Sequence, residues 1–263
     1  MKLFIVKDKK SGDRKAFEII KKQVQTKTNS LIGLAAGKTI DGLYKLISID
    51  AKRNKKLWSR LKVFQIDEHF GVHPNSKLSF NYEIKKKLYE LLKVLHTKNI
   101  FLLNGVEKPE KTIAKGYNFI KKNNGFDLII LGIGPEYDTH IAYNTTGKSP
   151  LNSKMRVVSL HPKIIKRLLE KQETGNRKHE GHSSSFPASC FMSPASLKGI
   201  TLGVKDILNA RKTLLIAYGK EKAKSIRLAF KGRVDTKRAS ASALQLHKNL
   251  TVITDKEAGK YLL

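Results

Sequence analysis

Acidic residues are scarce in this chain: 22 Asp+Glu stand against 52 Lys+Arg in 263 residues, a formal charge of +30 at pH 7. Cysteine is scarcer still. Cys190 stands alone, which excludes an internal disulfide and any multi-cysteine zinc site. Long hydrophobic runs are missing too, since no apolar stretch approaches the roughly 20 residues that a membrane-spanning helix needs. The opening MKLFIVKDKK carries only the short apolar run Leu3–Val6 before it turns basic, so a first strand is expected there rather than a signal-peptide core. Zinc-finger spacing, an RNA-recognition aromatic motif, a basic-zipper heptad and internal repeats are all absent. These absences point to a soluble, cytoplasmic chain with no membrane partner.

Core-forming residues are plentiful. At 40% hydrophobic and 28% charged, the sequence can bury a sizeable core, and its length allows one large α/β domain over residues 1–263. The positive excess is spread through Lys9–Lys10, Lys52–Lys56, Lys85–Lys87, Lys121–Lys122 and Lys220–Lys224. Many of these lysines lie at helical spacing beside apolar positions, as on solvated helix faces. The charge therefore reads as a lysine-rich surface rather than a nucleic-acid module, and its field would attract small anionic substrates.

Extended apolar runs alternate with amphipathic stretches. Strands are predicted at Leu3–Val6, Ser30–Leu34, Lys62–Ile66, Ile100–Leu103, Asp127–Leu131, Arg156–Ser159, Thr213–Ala217 and Leu250–Thr254. Helical patterns fall near Asp13–Gln25, Thr39–Lys52, Phe80–Val94, Lys108–Lys122, Ile164–Gln172, Lys220–Phe230 and Asp255–Leu262. Such alternation predicts an α/β fold: a mostly parallel, Rossmann-like sheet with helices on both faces. Only Glu173–Lys198, rich in Ser, His, Lys and Pro, breaks the rhythm. A lid within residues 160–198 is expected from its length and polarity. His179-Glu180-Gly181-His182 in that stretch is not H-E-x-x-H, so no metal site is expected.

Ligands of parallel α/β sheets bind beyond the carboxyl ends of the strands, so the residues that follow strands are the informative ones. Ala35-Ala36-Gly37-Lys38-Thr39 follows a strand and opens a helix; it could cradle an anion or be an ordinary tight turn. It is not a Walker A loop, because Ile32 stands where that motif needs glycine. Asp67-Glu68 offers a general base, or alternatively a capping pair. Gly132-Ile133-Gly134 precedes Asp138 and His140, a carboxylate spaced to orient an imidazole. Lys222, after Gly219, could hold a phosphate as a point charge. Ser242–His247 by itself reads as a packed helical turn.

In this order and spacing the segments resemble the glucosamine-6-phosphate deaminase/isomerase family and, more distantly, the 6-phosphogluconolactonases of the same superfamily. The resemblance runs from about Ser30 to the C-terminus. It rests on Ile66-Asp67-Glu68, Leu131–Gly134, Asp138 with His140–Asn144, and Ile200–Val204 with Ile207, Leu208 and Ala210. It implies conversion of glucosamine 6-phosphate to fructose 6-phosphate and ammonium, without a cofactor or metal. In that scheme His140, oriented by Asp138, assists ring opening, and Asp67 moves the proton between C2 and C1. The ligand-contacting set becomes Ala36, Gly37, Lys38, Thr39, Glu68, Gly134 and Lys222, with a sugar phosphate as the partner; an oligomer is allowed.

Three departures stand beside the matches. Glu136-Tyr137 looks inserted and Thr139 replaces the family's glycine. Thr145 stands where the family has the glutamate that completes a carboxylate–histidine relay. The phosphate-binding arginine expected in the lid segment is missing from Ser185–Met192. A lactone-hydrolysing relative and a weakened sugar-phosphate-binding paralogue are the alternatives these departures leave open.

Overall fold

The computed structural model describes residues 1–177 and 198–262 of the chain. Its strands are β1 (Lys2–Val6), β2 (Leu31–Leu34), β3 (Lys62–Gln65), β4 (Asp67–Phe70), β5 (Ile100–Phe101), β6 (Leu128–Leu131), β7 (Arg156–Ser159), β8 (Lys198–Thr201), β9 (Thr213–Ala217) and β10 (Leu250–Asp255). The helices are α1 (Lys9–Thr26), α2 (Asp41–Arg53), α3 (Lys55–Trp58), α4 (Phe80–Lys87), α5 (Tyr89–Val94), α6 (Pro109–Lys122), α7 (Pro162–Arg177), α8 (Val204–Leu208), α9 (Ala223–Phe230) and α10 (Lys256–Gly259). Among the described residues no helix is long and apolar enough to cross a membrane.

Strands that are apolar at nearly every position must be covered on both faces, and parallel sheets meet that condition. β2, β6 and β9 are buried at every residue and lie side by side in a parallel seven-stranded sheet ordered β1-β10-β9-β6-β2-β3-β5. The chain steps outward from β2 through β3 to β5, then returns to β6 on the other flank of β2. The strand order thus reverses between β2 and β6, and the crevice of such a sheet opens at the carboxyl ends of those two strands. The helices supply the apolar cover, with Ile20, Tyr44, Trp58 and Ile226 fully buried in one continuous core.

The structure departs from the sequence prediction in one architectural respect. β7 does not join the parallel sheet; it pairs antiparallel with β8, which pairs antiparallel with β4, forming a separate three-stranded sheet. β4 reads Asp-Glu-His-Phe and shows no apolar alternation, because its polar side chains are buried among hydrogen-bond partners instead. β8 begins at Lys198, at the end of the segment assigned to a lid.

Of the segment expected to form a lid, 160–198, only the two ends are described. Residues 162–177 form α7, and Ile164 and Leu168 on its inner face are buried against Leu160 and Tyr143 in a second small core. Full burial of two such side chains is worth about 1.5–3 kcal/mol each, which ties this part of the segment down. His179–His182, Cys190 and Ser185–Met192 lie outside the described residues. The helix predicted over Phe80–Val94 is two, α4 and α5, meeting at Leu88. Ile84, Leu88 and Leu91 keep helical spacing across the junction, so the apolar pattern carries no mark of the break.

Candidate active site

The β2 turn carries the first group. Gly37 sits at φ +121°, a conformation that favours glycine, and among the described residues nothing lies within 4 Å of where a Cβ would project. Its N–H is already engaged, donating to Glu83 Oε1 at 2.7 Å. Ala36 and Thr39 are half-buried and Lys38 is exposed. Lys9 of α1 donates to the Thr39 carbonyl at 2.6 Å and pins the turn from behind.

Asp67 and Glu68 are adjacent and both buried, yet their surroundings differ. Glu68 accepts from the Ser79 hydroxyl (2.7 Å), the Phe80 and Asn81 amides (2.9 and 2.8 Å), Gln65 Nε2 (3.0 Å) and the His69 amide (2.8 Å). A carboxylate on the first amides of α4 satisfies donors that lack intrahelical partners and favours the positive end of the helix dipole. Burial raises the Glu68 pKa, and its donors pull the other way. The Glu68 side chain is wholly enclosed, and these donors engage both of its oxygens. Asp67 is only 6% exposed, and its Oδ1 has no hydrogen-bond partner among the described residues. Burial first, then the charges of Glu68 and Glu83, push its pKa up to about 8.

The loop after β6 supplies an imidazole. Asp138 Oδ2 accepts from His140 Nδ1 at 2.8 Å, and Oδ1 accepts from the Thr146 amide at 2.9 Å. With Nδ1–H committed to the carboxylate, Nε2 makes no hydrogen bond among the described residues, and the side chain is 17% exposed. Gly134 is glycine for reasons of space: a Cβ there would stand 2.6 Å from His140 Nδ1. Thr145 is buried and donates its N–H to the Tyr143 carbonyl at 3.0 Å. Ala142 adopts φ +48°, an uncommon conformation for a residue with a Cβ, inside the tight turn closed by Ile141 and Asn144. The Ser240–Leu246 segment buttresses this loop, its Ala241 amide donating to the Thr139 carbonyl at 3.0 Å.

Hydrogen bonds and charge link these strand ends. Lys222, in the turn after β9, donates through Nζ to the Ile133 carbonyl of the β6 loop at 2.8 Å. Burial lowers its pKa, Glu221 opposes that, and the Arg167 guanidinium lowers it further. Burial first, and then the charge of Asp67, raises the pKa of Tyr143, whose ring centroid lies 6.4 Å from that of His140. Arg167 acts on Tyr143 as well. The turn after β2, Asp67, the Asp138–His140 pair and Lys222 therefore share one crevice edge, with Arg167 of α7 beside it. Sequence reasoning missed Arg167, which sits among Lys163 and Lys166 on what reads as a solvated helix face. Glu83, 46 residues from Gly37, was missed because nothing in its local sequence marks it.

A parallel sheet whose crevice holds an incompletely bonded buried carboxyl near a carboxylate–imidazole pair defines an enzyme of acid–base chemistry on a small ligand. The chain belongs to the family of glucosamine-6-phosphate isomerases and 6-phosphogluconolactonase, whose model matches residues 10–162. It is 33% identical over 263 residues to a glucosamine-6-phosphate deaminase of Thermoanaerobacter sp. (strain X514), covering 100% of this chain and 95% of that protein. It is 33% identical over 259 residues to one of Clostridium beijerinckii, covering 98% of each. Its fold is similar to that of a monomeric glucosamine-6-phosphate deaminase (TM-score 0.79, 23% identity, 99% of both chains). The 6-phosphogluconolactonase from Leishmania guyanensis shares the fold as well (TM-score 0.70, 14% identity, 100% of this chain and 98% of that one).

Proposed function

We propose that this protein converts glucosamine 6-phosphate to fructose 6-phosphate and ammonium. One observation carries the reading: Asp67, a buried carboxyl whose Oδ1 has no hydrogen-bond partner among the described residues, lies at the same carboxyl end of the sheet as the Asp138–His140 pair. Deamination of this kind needs an acid–base group at the ring oxygen and a second base at C2. His140 Nε2 takes the proton of the anomeric hydroxyl and returns it to the ring oxygen, opening the pyranose. Asp138 fixes the ring orientation that this transfer needs. Asp67 then removes the C2 proton and delivers it to C1 while a proton passes from the amino group to O1, which leaves an iminium at C2 that water converts to the ketose and ammonium. A carboxyl that titrates near neutrality is suited to both halves of that transfer.

The anionic end of the substrate meets Lys222, Thr39 and Arg167, two cations and a hydroxyl. Asp138 fills both its oxygens with His140 and the Thr146 amide, so the imidazole is oriented without a side-chain partner at Thr145. The test is direct: incubate the protein with glucosamine 6-phosphate and measure ammonium release, with 6-phosphogluconolactone hydrolysis as the second arm. Ammonium release with a silent second arm supports the reading. Lactone hydrolysis alone, or neither activity, overturns it.

A further inference from the structure

We infer that Glu83 is a specificity-determining residue of this site: its carboxylate occupies the Gly37 amide as an internal anion and must withdraw before a phosphate docks on the β2 turn. The inference rests on the sugar-phosphate reading above. Among the described residues nothing lies within 4 Å of where a Gly37 Cβ would project, and Glu83 Oε1 takes the Gly37 N–H at 2.7 Å. The same oxygen accepts from Lys87 Nζ at 2.5 Å, and Lys87 also reaches the Asp41 carboxylate in the first turn of α2. Two carboxylates thus share one ammonium beside the turn. A single amide proton makes one strong charge-assisted bond, so a phosphate oxygen and Glu83 compete for it. Glu83 remains 27% exposed, which leaves it room to move.

Lys87 makes the exchange workable. When Glu83 leaves Gly37 it stays paired with Lys87, so withdrawal gives up one hydrogen bond and no ion pair. A strongly charged phosphoryl group, supported by Lys222 and Arg167, can displace the carboxylate; a singly charged carboxylate ligand is a poorer competitor. Glu83 thereby sets a threshold of anionic charge for occupying the turn.

Calorimetric titration of wild type, Glu83→Ala and Glu83→Gln with fructose 6-phosphate and with inorganic phosphate tests this. Glu83→Ala, which frees the amide, should bind both about tenfold tighter, and Glu83→Gln, which keeps an acceptor without charge, should fall between. Unchanged or weaker binding in Glu83→Ala, with both probes, overturns the inference; so does an absence of phosphate binding in that variant. Should Glu83→Ala fail to fold, Glu83→Gln and the Gly37 amide resonance decide: the resonance must move when wild type is saturated, and a stationary one overturns the idea. The two readings fail separately. A wild type that releases no ammonium while Glu83→Ala binds phosphate more tightly sinks only the deaminase assignment. An active wild type with Glu83→Ala unchanged sinks only the role of Glu83.

Discussion

Two buried aspartates, at opposite ends of the parallel sheet, show how the molecule divides stability from chemistry. At the amino end, Asp127 accepts from the Leu31 amide at 2.9 Å and from Lys27 Nζ at 2.8 Å, with Arg211 3.5 Å away. At the carboxyl end, Asp67 is comparably buried, yet among the described residues it leaves an oxygen unpartnered and faces the like charges of Glu68 and Glu83. One carboxylate is neutralised and ties two strands to a helix end. The other is kept under electrostatic pressure, at a cost the rest of the fold offsets. Ala142 with its positive φ and the half-buried Lys222 lie at the same end.

The most damaging way to test this contrast is Asp67→Asn. It keeps the shape and removes the base, so kcat should fall roughly 100-fold or more with little change in ligand affinity. In wild type the base must be deprotonated, so kcat/KM should climb as pH rises toward about 8. Stability should move the opposite way. Folding raises the Asp67 pKa, so between about pH 4 and its folded value the native state holds a proton that the unfolded chain has released, and its contribution is lost as pH rises through that window. Thermal unfolding should show Asp67→Asn more stable than wild type at pH 8, with the gap closing toward pH 4. A variant less stable at pH 8 would break the comparison.

Asp127→Ala should do the reverse. It strands the Leu31 amide and Lys27, costing about 2–3 kcal/mol in denaturant unfolding, while kcat/KM of the folded enzyme stays within about twofold. Lys222→Ala should weaken fructose 6-phosphate binding about tenfold, the loss of one charge-assisted contact, read by calorimetry. The smallest effect is expected at Ala142. The left-handed conformation costs an alanine roughly 1–2 kcal/mol, and glycine gives back about 0.5–1 kcal/mol in unfolded-chain entropy. Ala142→Gly should therefore stabilise by less than about 1 kcal/mol; a clear loss would mean that its methyl packs usefully.

The strand ends were legible because the parallel fold follows from apolar runs, and that fold dictates where ligands sit. Gly37, Asp67, His140 and Lys222 are singled out this way, each following a strand of the parallel sheet. What stayed hidden depends on distant partners. Asp67 and Glu68 look alike in a sequence, and only the fold of residues 79–81 back onto Glu68 assigns them different work. Glu83 meets Gly37 through the docking of α4, and Arg167 reaches the site through the packing of α7, neither of which has a local signature. β8 was obscured by Gly199 and by a lysine at its start. That glycine is needed because a Cβ there would stand 2.6 Å from the Tyr143 ring.

The placement of β10 bears on how the chain is made. It lies between β1 and β9, pairing Lys2 with Thr251 on one side and Thr213 with Leu250 on the other. A ribosome extends the chain at about 5–20 residues per second and releases β1 long before β10 exists. Until the last strand emerges, β1 has no neighbour in the sheet and β9 shows a bare edge of backbone donors and acceptors. The half of the sheet from β2 to β6 can assemble during synthesis, whereas the other half must wait with a vacant slot. The nascent protein is most exposed to mispairing in that interval, when the like charge of its many lysines opposes the approach of a second such chain.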